Sequence, residues 1–450
     1  MNPLLFASLA VPVALVWAGT IESALGQDAN DWIRSQAIRL RTFEPDQQGF
    51  GDLAPLKAVI GNARVVMLGE QAHAEGATFL GKTRIIQFLH EEMDFDVLCF
   101  ESGLFDCEAA WRSIRSGTDA WTAMSTGIFP IWMQAAELAP LTDAMDRWAK
   151  TDRPLELCGY DCQLTGSASR DHLLGEIVGL NARGTPPALD ETGVKAASEY
   201  LSALVKGSAP DAAARTAGET SLATLSQALS GEAYAKVPAA DRSFWKQMLK
   251  SLPAFTTMLG NSARKDLPLP EQFNPRDEQG GDTLTWLVRE RYPNRKIIVW
   301  AASMHCVRSP DGITPLIPGL SYAGVHTMGH VAAAALGDDV FVLSFVSGAG
   351  QAGNVFGRSW QVPEPPSESL EARCRDLELG ACIIPLRSAA EGTFGAGEFL
   401  ARPLGNAPMR ATWRKHVDAF AYTPVMVPAT VRRSRSETPP ANNGANESKQ

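Results

Sequence analysis

Short apolar runs alternate with amphipathic stretches through much of this chain. Arg64-Val65-Val66-Met67-Leu68 reads as a buried strand, followed by the turn Gly69-Glu70-Gln71-Ala72-His73. The spacing predicts a helix over Thr78 to Met93, with Phe79, Ile85, Phe88 and Leu89 on one face. Asp96-Val97-Leu98-Cys99-Phe100 is a second strand, ending at Glu101-Ser102-Gly103. Helices near 106–116 and 135–150 lead to a third strand, Leu155-Glu156-Leu157-Cys158, and the turn Gly159-Tyr160-Asp161. From about 170 to 266 the pattern is helical, rich in Ala, Ser and Leu. The earlier rhythm returns at Arg295-Lys296-Ile297-Ile298-Val299-Trp300, which ends in Ala301-Ala302-Ser303-Met304-His305. A helix around Gly329 to Leu336 and a strand at Val340 to Phe345 follow. This alternation predicts an α/β fold, a mostly parallel central sheet flanked by helices. Its two parts, 27–170 and 271–428, are separated by a helical insertion over 171–270. Because an insertion between strands leaves and returns near one sheet edge, it is expected to wall or cover the strand ends.

The ends read differently. Leu4 to Gly19 is an apolar run broken by Pro12 and too short to span a membrane comfortably. With small Ala24 and Gly26 before Gln27, residues 1–26 read as a signal peptide, although the n-region Met-Asn-Pro has no Lys or Arg. Export to the periplasm or medium is the expectation, with no other membrane association. From Ala429 to Gln450 the chain is polar, with Pro-Pro and Asn-Asn-Gly, and is expected to be disordered. Arg432, Arg433 and Arg435 form its one basic cluster, read as a solvated tail.

Charge narrows the partners. The 41 basic and 50 acidic residues give a net charge of -9, which excludes general attraction to nucleic acid or anionic lipid. An apolar fraction of 45% in 450 residues supports a large globular core. Of seven cysteines, an odd count leaves at least one thiol free; Cys99 and Cys158 are expected to pack in strands, and Cys374 and Cys382 are the best pair for a disulfide. No CxxC pair supports thiol redox chemistry or a zinc knuckle.

Ligands of open α/β sheets bind beyond the carboxyl ends of the strands. Four predicted strand ends carry Glu70 with His73, then Glu101, Asp161 and His305, a constellation that suggests an active site. Lys82 and Arg84, in the helix after His73, are candidate cations for substrate binding, together with Asp161. Carboxylates and imidazoles without an obvious nucleophile point to water activation: a His takes the proton while a carboxylate fixes its tautomer. The second imidazole or a cation would stabilise the oxyanion. No GxSxG elbow and no HExxH occurs; His90-Glu91-Glu92 is read as part of an exposed helix face. His326 and His330 have metal-ligand spacing in a loop-like context. Gly348 to Gly353 spells GxGxxG, but no helix follows to receive a dinucleotide, so it reads as a glycine-rich turn.

Leu68-Gly69-Glu70-Gln71-Ala72-His73 resembles the GExxH turn of the erythromycin esterase family. Further blocks match in order: Phe88 to Met93 with Phe100-Glu101-Ser102-Gly103, then Gly127-Ile128-Phe129-Pro130-Ile131-Trp132 and Gly159-Tyr160-Asp161. Arg276-Asp277, Trp300 to His305 and Met328-Gly329 complete a likeness covering roughly 50–350. The resemblance implies a hydrolase that opens a macrolactone ester with His-activated water, without a required metal or cofactor, and a role in macrolide resistance. It places His73 as general base, Glu70 and Glu101 as supporting carboxylates, and His305 as the second histidine of a W/V-A-H-N-x-H block. In that block Ala302 replaces the first histidine and Ser303 the usual Asn, and the family's active-site Arg falls on Lys82.

The reading is therefore a hydrolase acting on a small-molecule ester or lactone, with His73, Glu70, Glu101 and His305 catalytic. Two alternatives stand beside it. One is a metal-dependent hydrolase at the same residues; the other is a non-catalytic periplasmic protein binding a haem-like molecule.

Overall fold

The computed structural model describes residues 28–45, 49–164, 166–264 and 266–432. The expected signal peptide and most of the expected tail lie outside them. Residues 429–432, placed in the tail by composition, are held: Ala429 N–H donates to Gly353 O, and Arg432 N–H to Gln134 O.

Twelve strands are described: β1 (Ile38–Arg39), β2 (Val65–Glu70), β3 (Phe95–Gly103), β4 (Glu156–Asp161), β5 (Lys296–Ala302), β6 (Thr314–Pro315), β7 (Val340–Gly353), β8 (Ser359–Val362), β9 (Cys382–Pro385), β10 (Phe399–Ala401), β11 (Met409–Ala411) and β12 (Ala419–Met426). The main sheet runs β1-β9-β12-β7-β2-β5-β3-β4, with β8 beside β7. From β12 to β4 every neighbour is parallel, while β1, β9 and β8 pair antiparallel. The mostly parallel α/β sheet flanked by helices is as the sequence pattern predicts. β6, β10 and β11 form a separate small sheet.

The central strands are apolar on both sides because both faces are covered. Val65, Met67, Val97, Cys99, Ile297, Val299, Val340 and Val342 lie in one buried layer that includes residues of the helical insertion and of 284–422. Their alternates Val66, Leu68, Leu98, Phe100, Ile298, Trp300, Phe341 and Leu343 pack against helices from 76–148. At ~1.5–3 kcal/mol for each fully buried large apolar side chain, these two layers hold the strand register firmly.

The connection out of β2 is the helix Gly76–Met93, which ends where Asp94 turns left-handed at φ 60°. It delivers the chain to β3, and β5 later enters between them, so the ends of β2, β5, β3 and β4 stand side by side. The GxGxxG segment extends β7 to Gly353 instead of turning. A Cβ at Gly350 would lie 2.2 Å from Met426 O, so close pairing with β12 explains the glycine there. His90, expected at the surface, is buried with Nδ1 2.7 Å from Phe95 O. All seven cysteines are free thiols. Cys374 and Cys382, the expected disulfide, are in hydrogen-bond contact without a bridge. Cys99 and Cys158 face each other across β3 and β4.

Candidate active site

Glu70 is the last residue of β2, and the tight turn after it brings His73 back over its own carboxylate. The strand can end so close to the segment after β5 because residue 69 is glycine: a Cβ there would meet Ser303 Oγ at 2.6 Å. His73 Nδ1 lies 2.9 Å from Glu70 Oε1, which also accepts the Trp132 indole N–H at 2.9 Å. The Trp132 ring packs edge-on to the imidazole, with centroids 5.1 Å apart. With Nδ1 facing a carboxylate, the proton resides there and Nε2 is the acceptor. His73 keeps 36% of its side-chain surface exposed, whereas Glu70 keeps none.

Glu101 sits near the end of β3 with 3% of its side chain exposed. Its Oε1 is 2.8 Å from Arg276 Nη2, 3.2 Å from His305 Nε2 and 4.0 Å from His73 Nε2. Its Oε2 accepts the Ala302 N–H at 2.9 Å, tying β3 to the end of β5. Burial works to raise the Glu101 pKa, but His305, Arg276 and His73 together hold it well below the usual 4.5. Glu101 is thus a fixed anion.

His305 follows β5 in the short helix Ser303–Cys306 and stacks on Phe273 at 5.2 Å. Its Nδ1 is 2.7 Å from Asp277 Oδ1, which also accepts the Met328 N–H at 3.0 Å. Burial opposes its charge, yet Asp277 and Glu101 raise its pKa to about 10, so it is an imidazolium at neutral pH. His73 goes the other way. Burial lowers it below 6.5, Glu101 resists, and His305 and Arg276 push it down further. The two histidines therefore divide into a neutral imidazole and a cation.

Arg276 and Asp277 come from the helix Leu269–Trp286, which returns the helical insertion to the sheet. Arg276 also grips Asp161, with Nη2 2.6 Å from Oδ2 and Nε 3.1 Å from the same oxygen. Asp161 is 2% exposed. Expected to bind substrate, it instead anchors the arginine, because its carboxylate is consumed in that contact.

Lys82 also differs from expectation. It is fully buried beneath the site, in contact with Glu70, donating to Ala301 O at 2.9 Å and lying 4.5 Å from the Trp300 ring centroid. Burial pushes its ammonium well below the ordinary lysine value. It supports Glu70 and does not face a substrate. Arg84 lies outside the cluster altogether: it donates to Asp52 Oδ1 at 2.7 Å and to Thr42 O at 2.8 Å. Two helical positions apart, Lys82 and Arg84 point to different faces. Arg84→Ala should accordingly leave turnover per folded molecule unchanged while costing ~2 kcal/mol of stability, since Asp52 loses one of its two arginine partners and keeps Arg41. Denaturant unfolding alongside an activity assay checks both halves.

Among the described residues, no group of three or more His, Cys, Asp or Glu is arranged to hold a metal ion. The Arg276 guanidinium occupies the position between Glu101 and Asp161 that a cation would take. His326 and His330 stack at 4.9 Å, with His326 Nδ1 2.7 Å from Glu278 and His330 Nδ1 2.9 Å from Arg308 O, and are not part of the cluster. No helix of the described residues is long and apolar enough to cross a membrane.

The putative hydrolase YbfO of Bacillus subtilis (strain 168) is 25% identical over 289 residues, 61% of this chain and 62% of that protein. The match thus spans less than two thirds of the relative's length. A crystal structure of a Bacillus cereus protein superposes with a TM-score of 0.73 at 19% identity, covering 91% of this chain and 99% of the other. A mutant of the erythromycin esterase EreC in its open conformation gives 0.66 at 16% identity, covering 86% and 96%. The family profile described as Erythromycin esterase matches residues 90–430. The chain belongs to the erythromycin esterase family.

Proposed function

We propose that this chain is a hydrolase that opens a carboxylic ester or lactone by attack of a water molecule deprotonated at His73 Nε2. The carrying observation is the Glu70–His73 pair, which presents a neutral imidazole with its acceptor nitrogen towards a cluster of fixed charges. Water adds to the ester carbonyl carbon as its proton passes to His73. Arg276 and the His305 imidazolium supply positive potential for the oxyanion. Collapse of the tetrahedral intermediate expels the alkoxide, which takes the proton back from His73, leaving a carboxylic acid and an alcohol. Family membership supports a hydrolase of esterase type. A macrolactone is the first substrate to try; Lys82, Ala302 and Ser303 stand where the resemblance has Arg, His and Asn.

The charge states set the pH behaviour. His73 must be neutral to accept a proton, and its pKa is depressed, so kcat/KM should fall on the acid side with a midpoint below pH 6.5. His305 gains its partners on folding, which raises its pKa from 6.5 to about 10. Its contribution to stability is therefore complete below pH 6.5 and lost as the pH rises towards 10. Unfolding midpoints across this range should decline in the unmodified chain and decline less in His305→Asn. An acid limb at or above 6.5 would contradict the assignment of His73 as the base.

A further inference from the structure

Glu75 is the one carboxyl group of the His73 turn that the proposed chemistry does not use. It is fully buried. Its Oε2 accepts the Gln71 N–H and the Thr78 hydroxyl, each at 3.2 Å, and its Oε1 accepts the Asn406 amide at 3.0 Å. A further hydrogen bond comes from the Ala72 N–H. These partners are all neutral, and two of them are the backbone amides between Glu70 and His73.

The far end is equally well held. Asn406 sits in the left-handed region at φ 58° and takes a hydrogen bond from Ser347 Oγ at 3.3 Å. Gly405 N–H donates to Gln71 O at 2.9 Å, and Gln71 Nε2 to Arg402 O at 2.7 Å. Arg402 in turn donates to Ser347 O and Gly348 O. The turn is thus fastened to β7 and to the loop after β10 in two ways, through Gln71 and through the buried Glu75–Asn406 contact.

We propose that Glu75 is a positioning residue for His73, fixing the 70–75 backbone so that the imidazole meets Glu70 in the one orientation that leaves Nε2 free. This rests on the hydrolase reading for its effect on rate, but the orientation itself can be observed without substrate. Burial raises the Glu75 pKa to about 7 against the pull of its four hydrogen bonds, so the group stays buried at an energetic cost. His73 on its own turn, Arg402 beyond Gln71 and Glu371 beside Arg402 are the titratable groups around it.

The test compares the full chain with Glu75→Ala, Glu75→Gln and Asn406→Ala, reading kcat, KM and the imidazole nitrogen shifts of His73. Glu75→Ala is expected to lower kcat ~10- to 100-fold, the range for a displaced catalytic group, with KM little changed. Its His73 shifts should move from one fixed tautomer to an average, while those of His305 stay in place. Glu75→Gln keeps an acceptor oxygen and should restore most of both readings. Asn406→Ala, which cuts the other end with Glu75 intact, should reproduce the His73 averaging and decides the matter if Glu75→Ala does not fold. A fixed His73 tautomer in folded Glu75→Ala or in Asn406→Ala would overturn the proposal. A wild-type chain that hydrolyses no ester would defeat the hydrolase reading alone, leaving the spectra to decide on Glu75.

Discussion

A chain carrying His73→Ala is expected to turn over its ester substrate at least ~100-fold more slowly than the unmodified chain, the lower bound of what general base catalysis contributes. The loss should appear in kcat, because in the proposed mechanism the imidazole acts on the attacking water and not on substrate affinity. Stability should change little, since His73 is the most exposed member of the cluster and Glu70 keeps its contacts with Trp132 and Lys82. Circular dichroism and an unfolding midpoint establish equal folded content before rates are compared. His305→Ala is expected to slow turnover less, because in the proposed mechanism that imidazolium, beside Arg276, supplies charge and does not itself accept the proton.

The second large effect belongs to Arg276. Its guanidinium is the shared partner of Glu101 and Asp161, whose side chains are 3% and 0% exposed. Arg276→Ala removes the one cation shared by two buried carboxylates and should cost ~3 kcal/mol of stability, the low end for a buried ion pair broken on one side, because Glu101 keeps His305 and Asp161 keeps Gln163. It should also slow turnover, since Glu101 loses the contact that holds it between the two histidines. Arg276→Lys restores the charge but not the planar fork that spans both carboxylates, so it should recover stability more than rate. Denaturant midpoints and kcat measured on the three proteins distinguish these effects. Full stability in Arg276→Ala would show that the carboxylates find other partners.

What the sequence could show depended on burial and distance. β2, β3, β4, β5 and the first half of β7 are legible because strands covered on both faces are unbroken apolar runs. β9 has only four residues and β6 only two, too few for any period, and Pro424 disguises the end of β12. Glu70, His73, Glu101 and His305 stood out because each closes a readable strand. Arg276 did not, being inside a helix that also contains Pro275 and lying 115 residues from Asp161. Its only signal was the Arg276-Asp277 block shared with the family, and Trp132 was marked in the same way. Lys82 and Arg84 were grouped by charge, where helical phase separates them. Glu75 gave no signal, since its partner Asn406 lies 331 residues away.

The central claim is that His73 activates water to open an ester. The direct measurement is a turnover screen of the folded full-length chain over carboxylic esters and lactones, macrolides included, run in isotopically labelled water beside His73→Ala. The account predicts at least one substrate whose product gains a single water, with the label in the new carboxylate, and near-complete loss of that product with His73→Ala. A ligand bound without turnover across the screen, or hydrolysis that persists undiminished in His73→Ala, would contradict it.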